Sequence, residues 1–280
     1  MPEWEAPAKL NLDLRVGSVE RDGLHPLRSL VQTIDWTDRL TVEESDEDHL
    51  DLAGAELPEG GENLVWQAVE ALALRRRPRL HIRLVKSIPI AAGLGGGSAD
   101  AAATLLAVGE MLRLGRRRIS AVAPEVGADV PFLLTGGTAV LEGYGERVTA
   151  LDPLTGFAVA VAVPPFELAT PDVYRRWDEM GGPVGTELTG AALPPALRRH
   201  DELRNDLTPA AASLRPELRD WMADLGGRWE RPVMMSGSGP ACFGFFLDRD
   251  EAAGAVAGLS EHRGAQAADL RRQGPTRVEE

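Results

Sequence analysis

Four glycines and a serine stand within six positions, in Gly93-Leu94-Gly95-Gly96-Gly97-Ser98. Glycine allows backbone conformations that a Cβ forbids, and lets the chain approach a ligand closely. The run follows an alternating apolar segment, Leu80 to Val85, which reads as a strand. A helical pattern over Ala101 to Leu114 follows it. A helix behind such a loop aims unpaired N–H groups and a positive dipole end at it, which is a recipe for holding phosphate. Two familiar versions are excluded. The Walker pattern needs Gly-Lys-Ser/Thr, whereas Ser98 sits between Gly97 and Ala99; the Rossmann pattern needs a glycine where Ser98 stands. A loop of this kind must rely on backbone donors, the helix dipole and the Ser98 hydroxyl. Its cation and its base have to come from elsewhere in the chain.

Three other places carry candidate chemistry. Lys9 lies on a strand in Ala6-Pro7-Ala8-Lys9-Leu10-Asn11; taken alone, it reads as an exposed strand lysine. Asp129, in Gly127-Ala128-Asp129-Val130-Pro131-Phe132, is either a general base or a helix-cap or turn residue. The turn Ser236-Gly237-Ser238-Gly239 offers backbone N–H groups as a second anion nest. It is not a nucleophile elbow, because no serine there has glycines at both −2 and +2.

The elements that must position these residues are read from periodicity. Lys9 to Val16 alternates and is predicted to be a half-buried strand, with Leu10, Leu12 and Leu14 inward and Asn11, Asp13 and Arg15 outward. Arg21-Asp22-Gly23 is a turn. Leu30 to Trp36 and Arg39 to Glu43 are expected as two strands separated by Thr37-Asp38. Asn63 caps a helix through Leu74. Ser120 is the expected cap of a short helix ending at Gly127. Val130 to Leu134 and Thr138 to Glu142 read as strands, and Phe157 to Val163 as a fully apolar one. Pro171 to Asp178 and Leu214 to Leu225 read as helices, and the tail from Arg271 as polar and disordered. Composition shifts near Asp152-Pro153-Leu154-Thr155-Gly156, so a domain boundary is expected there, giving domains 1–152 and 153–280. Strands mixed with helices, without strict alternation, indicate α+β.

Composition narrows the function. With 280 residues, 44% hydrophobic and 26% charged, the chain can bury a substantial core. A net charge of −13 argues against nucleic acid or an anionic membrane as a partner. A nucleotide needs only a local positive site. The arginine runs Arg75-Arg76-Arg77 and Arg116-Arg117-Arg118 read as helix-end charge. The single Cys242 rules out an intramolecular disulfide and suits a reducing cytoplasm. It reads as a buried structural thiol. No signal-peptide pattern and no apolar run of ~18 residues is present. The five histidines are scattered, none in a metal-ligand spacing such as H-E-x-x-H.

Together, six segments resemble the GHMP kinase superfamily in order and spacing: APAKLNL at 6–12, DGLH at 22–25, PIAAGLGGGSADAA at 89–102, GADVPF at 127–132, NDL at 205–207 and SGSGPACF at 236–243. The resemblance spans residues 6 to about 250. Its first two segments favour the branch that acts on a cytidylyl-methylerythritol substrate. It implies a two-domain α+β fold, ribosomal-protein-S5-domain-2-like at the N-terminus and ferredoxin-like at the C-terminus. It also implies a cleft between the domains as active site, and ATP and Mg²⁺ as cofactors. Asp129 matches the catalytic aspartate and Lys9 the catalytic lysine. Pro89, Ile90, Ala91, Ala92, Gly93, Leu94, Gly95, Gly96, Gly97, Ser98 and Ala99 match the ATP loop, with Ser98 a candidate metal ligand.

Asn11, His25 and Tyr174 match substrate-contacting positions, His25 at the cytosine edge and Tyr174 stacking on the base. Leu24 stands where the family has a second stacking aromatic. The expected partner is a small molecule of this type, with no nucleic acid and no membrane; a homodimer is compatible with the sequence. Two other functions stay open at this point, a relative acting on homoserine or mevalonate and an inactive nucleotide-binding sensor. Lys9 and Asp129 speak against the sensor, and His25 against the relatives; Leu24 is in the relatives' favour.

Overall fold

A computed structural model describes residues 2–20, 23–74, 76–200 and 202–278. The expected turn at Arg21-Asp22-Gly23 and the first arginine run fall partly on Arg21, Asp22 and Arg75, which lie outside the described residues. The first half runs β1 (Glu3–Val16), β2 (Leu27–Ser45), β3 (His49–Ala53), α1 (Leu64–Ala71), β4 (Arg79–Val85), α2 (Gly96–Met111), α3 (Arg116–Val126), α4 (Val130–Leu133), β5 (Thr138–Gly143) and β6 (Arg147–Ala150). The second half holds β7 (Ala158–Val163), α5 (Thr170–Glu179), β8 (Leu188–Thr189), β9 (Glu202–Leu203), α6 (Thr208–Leu214), α7 (Glu217–Trp229), β10 (Met234–Met235), β11 (Cys242–Phe246), α8 (Arg249–Val256), β12 (Gly264–Ala268) and β13 (Thr276–Arg277).

The alternation of β7 explains the layering. Its valines 159, 161 and 163 join Leu10, Leu12, Leu30 and Ile34 in a core between two sheets. Its alanines 158, 160 and 162 face α5 to α8 in another core. A strand buried on both faces is apolar throughout, as its sequence is. The larger sheet has the order β13-β1-β2-β4-β3, with β5 and β6 branching from β2; the smaller has the order β10-β11-β7-β12. Helices α1 to α4 cover the outer face of the larger sheet. Among them α2 is buried at every position from Ala99 to Gly109, which its alanines permit by letting neighbours approach closely.

Several expectations are corrected. β2 is one continuous strand, because Asp38 is a buried ladder residue and not a turn. α2 starts at Gly96, so Gly96, Gly97 and Ser98 form its first turn. α3 starts at Arg116, four residues before the expected Ser120 cap, though it does end at Gly127. Val130 to Leu133 is a helical turn, not a strand; Pro131 suits a first turn, and the Leu133 and Leu134 amides bond back to Asp129 and Val130. Leu214 closes α6, a helix the pattern does not show. From Arg271 to Val278 the chain is ordered: the Gly274 N–H reaches the Thr135 carbonyl, and β13 pairs with β1.

β1 departs from its expected half-burial, and the reason bears on function. Trp4 and Ala6 belong to the core under the helices, whereas Ala8, Leu10 and Leu12 belong to the core between the sheets. All are even-numbered, so the strand has changed face. The change falls at an irregular register between Pro7 and Lys9. Such bulges re-aim side chains. Here the bulge turns Lys9 and Asn11 towards the helical layer and the glycine loop, where both are buried.

Candidate active site

A cleft of about 930 Å³ opens where β1, the glycine loop, α4, α5 and the 236–239 turn meet. Every loop position from 89 to 98 lines it, as do Lys9, Asn11, His25, Asp129 and Tyr174. Ala99 does not; it is fully buried in the core beneath α2. The sequence-predicted residues are thus brought together, with that single exception.

Two glycines in the loop are required by geometry. Gly93 has φ +79°, and a Cβ there would lie 2.3 Å from the Ser236 carbonyl oxygen. Gly95 has φ +70°, and a Cβ would lie 2.9 Å from Lys9 Cγ and 3.6 Å from Asp129 Oδ2. Gly95 caps α2, whose first turn carries no acidic residue. The unpaired N–H groups of that turn therefore meet the cleft with the full positive end of the helix.

Lys9 Nζ lies 3.4 Å from Asp129 Oδ2 and donates a hydrogen bond to Asn11 Oδ1. The Lys9 side chain is 6% exposed and that of Asp129 31%. The reading of Lys9 alone as an exposed strand lysine is therefore corrected. Asp129 stands in a turn at the N-cap position of α4, but its carboxylate makes no capping hydrogen bond and is left to face the cleft. Asn11 is fixed by donating to Ser29 Oγ at 2.8 Å. Ser98 Oγ reaches the segment that carries Asp129; a Cβ on Gly127 would lie 3.7 Å from it.

At the other end of the cleft, His25 Nδ1 lies 3.0 Å from the Gly17 carbonyl oxygen and Nε2 lies 3.1 Å from Asp178 Oδ2. Tyr174 packs against the His25 ring at 5.3 Å, and Trp177 meets it edge-on at 5.4 Å. Burial, with a smaller push from the Asp129 charge, raises the Tyr174 hydroxyl to about 12, so it stays a neutral phenol. Leu24 is 53% exposed at the cleft rim.

The 236–239 turn works more as a scaffold than as an anion nest. The Ser236 and Gly239 amides bond within the turn and its strands. Ser236 Oγ donates to the Gly93 carbonyl at 3.0 Å and accepts from the Asn11 amide. It thereby ties the glycine loop to β1. Gly237 and Ser238 alone of the four line the cleft. Cys242 is buried, as expected, and burial raises its thiol pKa.

Sequence reasoning misses a charged cluster beneath the loop. Lys86 Nζ donates to Asp38 Oδ2, and to Asp100 Oδ2 at 2.6 Å. Asp38 Oδ1 also accepts from the Ser87 and Ile88 amides at 2.6 and 2.8 Å, which pins the start of the loop. The three side chains are at most 3% exposed. Burial pushes the Asp100 carboxyl well above the usual range against the pull of Lys86, and the Asp38 charge adds to the rise. Burial works against the Lys86 ammonium, but Asp100 and Asp38 outweigh it and raise its pKa. Asp38 reads from sequence as part of a turn, and no local pattern marks Lys86 as buried.

Comparison with known proteins places this fold and cleft in a class. Residues 63–137 match the family described as GHMP kinases N terminal domain, and residues 191–264 match GHMP kinases C terminal. The class is that of ATP-dependent small-molecule kinases. A crystal structure of 4-(cytidine 5'-diphospho)-2C-methyl-D-erythritol kinase superposes with a TM-score of 0.77 at 37% identity, covering 96% of this chain and 98% of its own. Homoserine kinase from Cytophaga hutchinsonii shares the fold at 19% identity, with a TM-score of 0.70 over 99% of this chain and 97% of its own. The 4-diphosphocytidyl-2-C-methyl-D-erythritol kinase of Saccharopolyspora erythraea is 38% identical over 91% of this chain and 86% of its own. That of Moorella thermoacetica is 37% identical over 91% and 94%. The chain belongs to the 4-diphosphocytidyl-2-C-methyl-D-erythritol kinase family of the GHMP kinases. Among the described residues no helix is long and apolar enough to cross a membrane.

Proposed function

We propose that this kinase transfers the γ-phosphoryl group of ATP to the 2-hydroxyl of 4-diphosphocytidyl-2-C-methyl-D-erythritol, giving the 2-phosphate and ADP. The observation that carries this reading is the Lys9–Asp129 pair, 3.4 Å apart, beside the N-terminus of α2 in one cleft. An alcohol is a poor nucleophile at neutral pH. The partly exposed Asp129 carboxylate accepts its proton as the oxygen–phosphorus bond forms and the bond to ADP breaks. Lys9 lies beside the Asp129 carboxylate and offsets charge on the transferring group. Residues 89–98 cradle the phosphates through backbone N–H groups.

A hydroxyl and a carboxylate, Ser98 and Asp129, both line the cleft, and this all-oxygen donor set suits Mg²⁺. When bound, Mg²⁺ neutralises phosphate charge. Asn11 positions the acceptor, holding Lys9 in turn. His25 reads the cytosine edge, and Tyr174 covers one face of the base. In this reading the functional division falls near residue 152, with domains 1–152 and 153–280 closing the cleft from two sides.

An ADP-release assay with a panel of alcohols tests the proposal. Turnover of the cytidylyl substrate, with none of homoserine or mevalonate, is expected. The reverse pattern overturns it.

A further inference from the structure

Away from the cleft, the larger sheet carries other chemistry on its solvent side. β3 and β4 run parallel with His49 opposite His81, and β2 places Glu43 opposite His81 from the other side. Strand alternation sends Leu50, Leu80, Ile82 and Val42 into the core. It leaves His49, Asp51, His81 and Glu43 together on the opposite face. His49 Nε2 lies 2.8 Å from Asp51 Oδ1, and His81 Nε2 lies 2.7 Å from Asp51 Oδ2. The other His81 nitrogen, Nδ1, lies 3.0 Å from Glu43 Oε1.

We infer that His49, Asp51 and His81 form a binding site for a divalent transition-metal ion of the zinc type, with Glu43 as a positioning residue. One ligand atom from each of the three lies within 4.8 Å of the others, so a single ion can touch all three. Two imidazoles and a carboxylate suit zinc, nickel or copper, whereas magnesium takes oxygen ligands. Metal-bound histidines commonly donate their other N–H to a carboxylate, which fixes the tautomer; Glu43 already stands there. Arg83 flanks the site, 3.5 Å from Asp51 and 3.9 Å from Glu43, and competes for their charge. β3 is the edge strand of its sheet path, and its ligands join one from β4. The ion therefore clips the edge strand to its neighbour. None of these residues lines the cleft, so the site is separate from phosphoryl transfer.

Calorimetric titration of the full chain with zinc chloride, in excess magnesium chloride, tests this. One saturable zinc equivalent is expected, together with a zinc-dependent rise in the thermal midpoint. The double variant His49→Ala, His81→Ala is expected to lose both, with unchanged turnover in zinc-free buffer. The single variant Asp51→Asn gives an independent reading if the double variant folds poorly, and is expected to weaken zinc by about 10-fold or more. Glu43→Gln is expected to weaken it by about 10-fold. Absence of a saturable site in the natural chain overturns the proposal. So does an unchanged zinc titration in the folded double variant or in Asp51→Asn, which would place the ion elsewhere.

Discussion

Two lysine–aspartate clusters pack against one glycine loop, and their surroundings give them different work. A Cβ on Gly95 would strike Lys9, and one on Gly96 would lie 3.3 Å from Lys86 Nζ. Lys9 faces one carboxylate, Asp129, which is 31% exposed to the cleft. Lys86 faces two carboxylates that are sealed from water. The first pair has an aspartate with free lone pairs and access to a substrate. The second has its cation bonded to both carboxylates, and Asp38 holds the loop through the Ser87 and Ile88 amides. Burial, more than residue type, separates a reacting pair from a structural one.

The largest effect that can break this contrast is on stability. Lys86→Met leaves the buried Asp38 and Asp100 side chains without their cation. It should lower the unfolding free energy by about 3–5 kcal/mol, since removing one partner of a buried ion cluster strands the other. Urea unfolding measures it. A loss below about 1 kcal/mol would show that the buried cluster does not hold the loop region.

Next comes the reacting pair. Asp129→Asn should lower turnover by about 10²-fold or more, because the proton acceptor is gone. Its unfolding midpoint should barely move, because the side chain is partly exposed and makes no capping hydrogen bond at the start of α4. Nucleotide binding, followed by fluorescence or calorimetry, should survive. An unchanged turnover would remove Asp129 from the chemistry.

A smaller effect is expected at the rim. Leu24→Tyr restores a second stacking surface for the base. It should improve KM for the cytidylyl substrate by about five-fold, the equivalent of about 1 kcal/mol, with little change in kcat. No stability cost is expected at a position 53% exposed. A KM that does not move would mean that Tyr174 alone sets the stacking.

The contrast also marks what can be read from the residues. The glycine loop is legible because backbone demands are written in residue type: positive φ at Gly93 and Gly95 leaves little choice. Strand alternation locates β4 and the face of β1 that carries Leu10 and Leu12, and an unbroken apolar run locates β7. The burial of Lys9 is not legible, because it depends on a bulge and on a loop about 80 residues away. Asp38 looks like a turn residue, since nothing local announces the lysine it neutralises. Val130 to Leu134 reads wrongly as a strand because a short apolar run has no period to separate strand from helix. The His49–Asp51–His81 cluster escapes for a related reason: sheet register, not spacing along the chain, brings β3 and β4 ligands together. The fold class and the cleft-lining positions are therefore visible, whereas the charged support beneath the loop is not.

The finest test concerns the second carboxylate of the buried cluster. Asp100 Oδ1 is buried without a hydrogen-bond partner, and burial raises its pKa. In the unfolded chain an aspartate loses its proton near pH ~4. Above that pH the unfolded state ionises while the folded state resists, so the unfolded state binds fewer protons and stability falls as pH rises towards the folded pKa. An asparagine side chain has no proton to lose. The stability of Asp100→Asn relative to the natural chain should therefore improve as pH rises above about 4, until Asp100 ionises in the folded state. Urea midpoints of both chains at matched temperature would show it. A constant difference across that range would mean that Asp100 is ionised in the folded state throughout. The buried cluster would then hold its charges as openly as the pair in the cleft, and the contrast between them would rest on geometry alone.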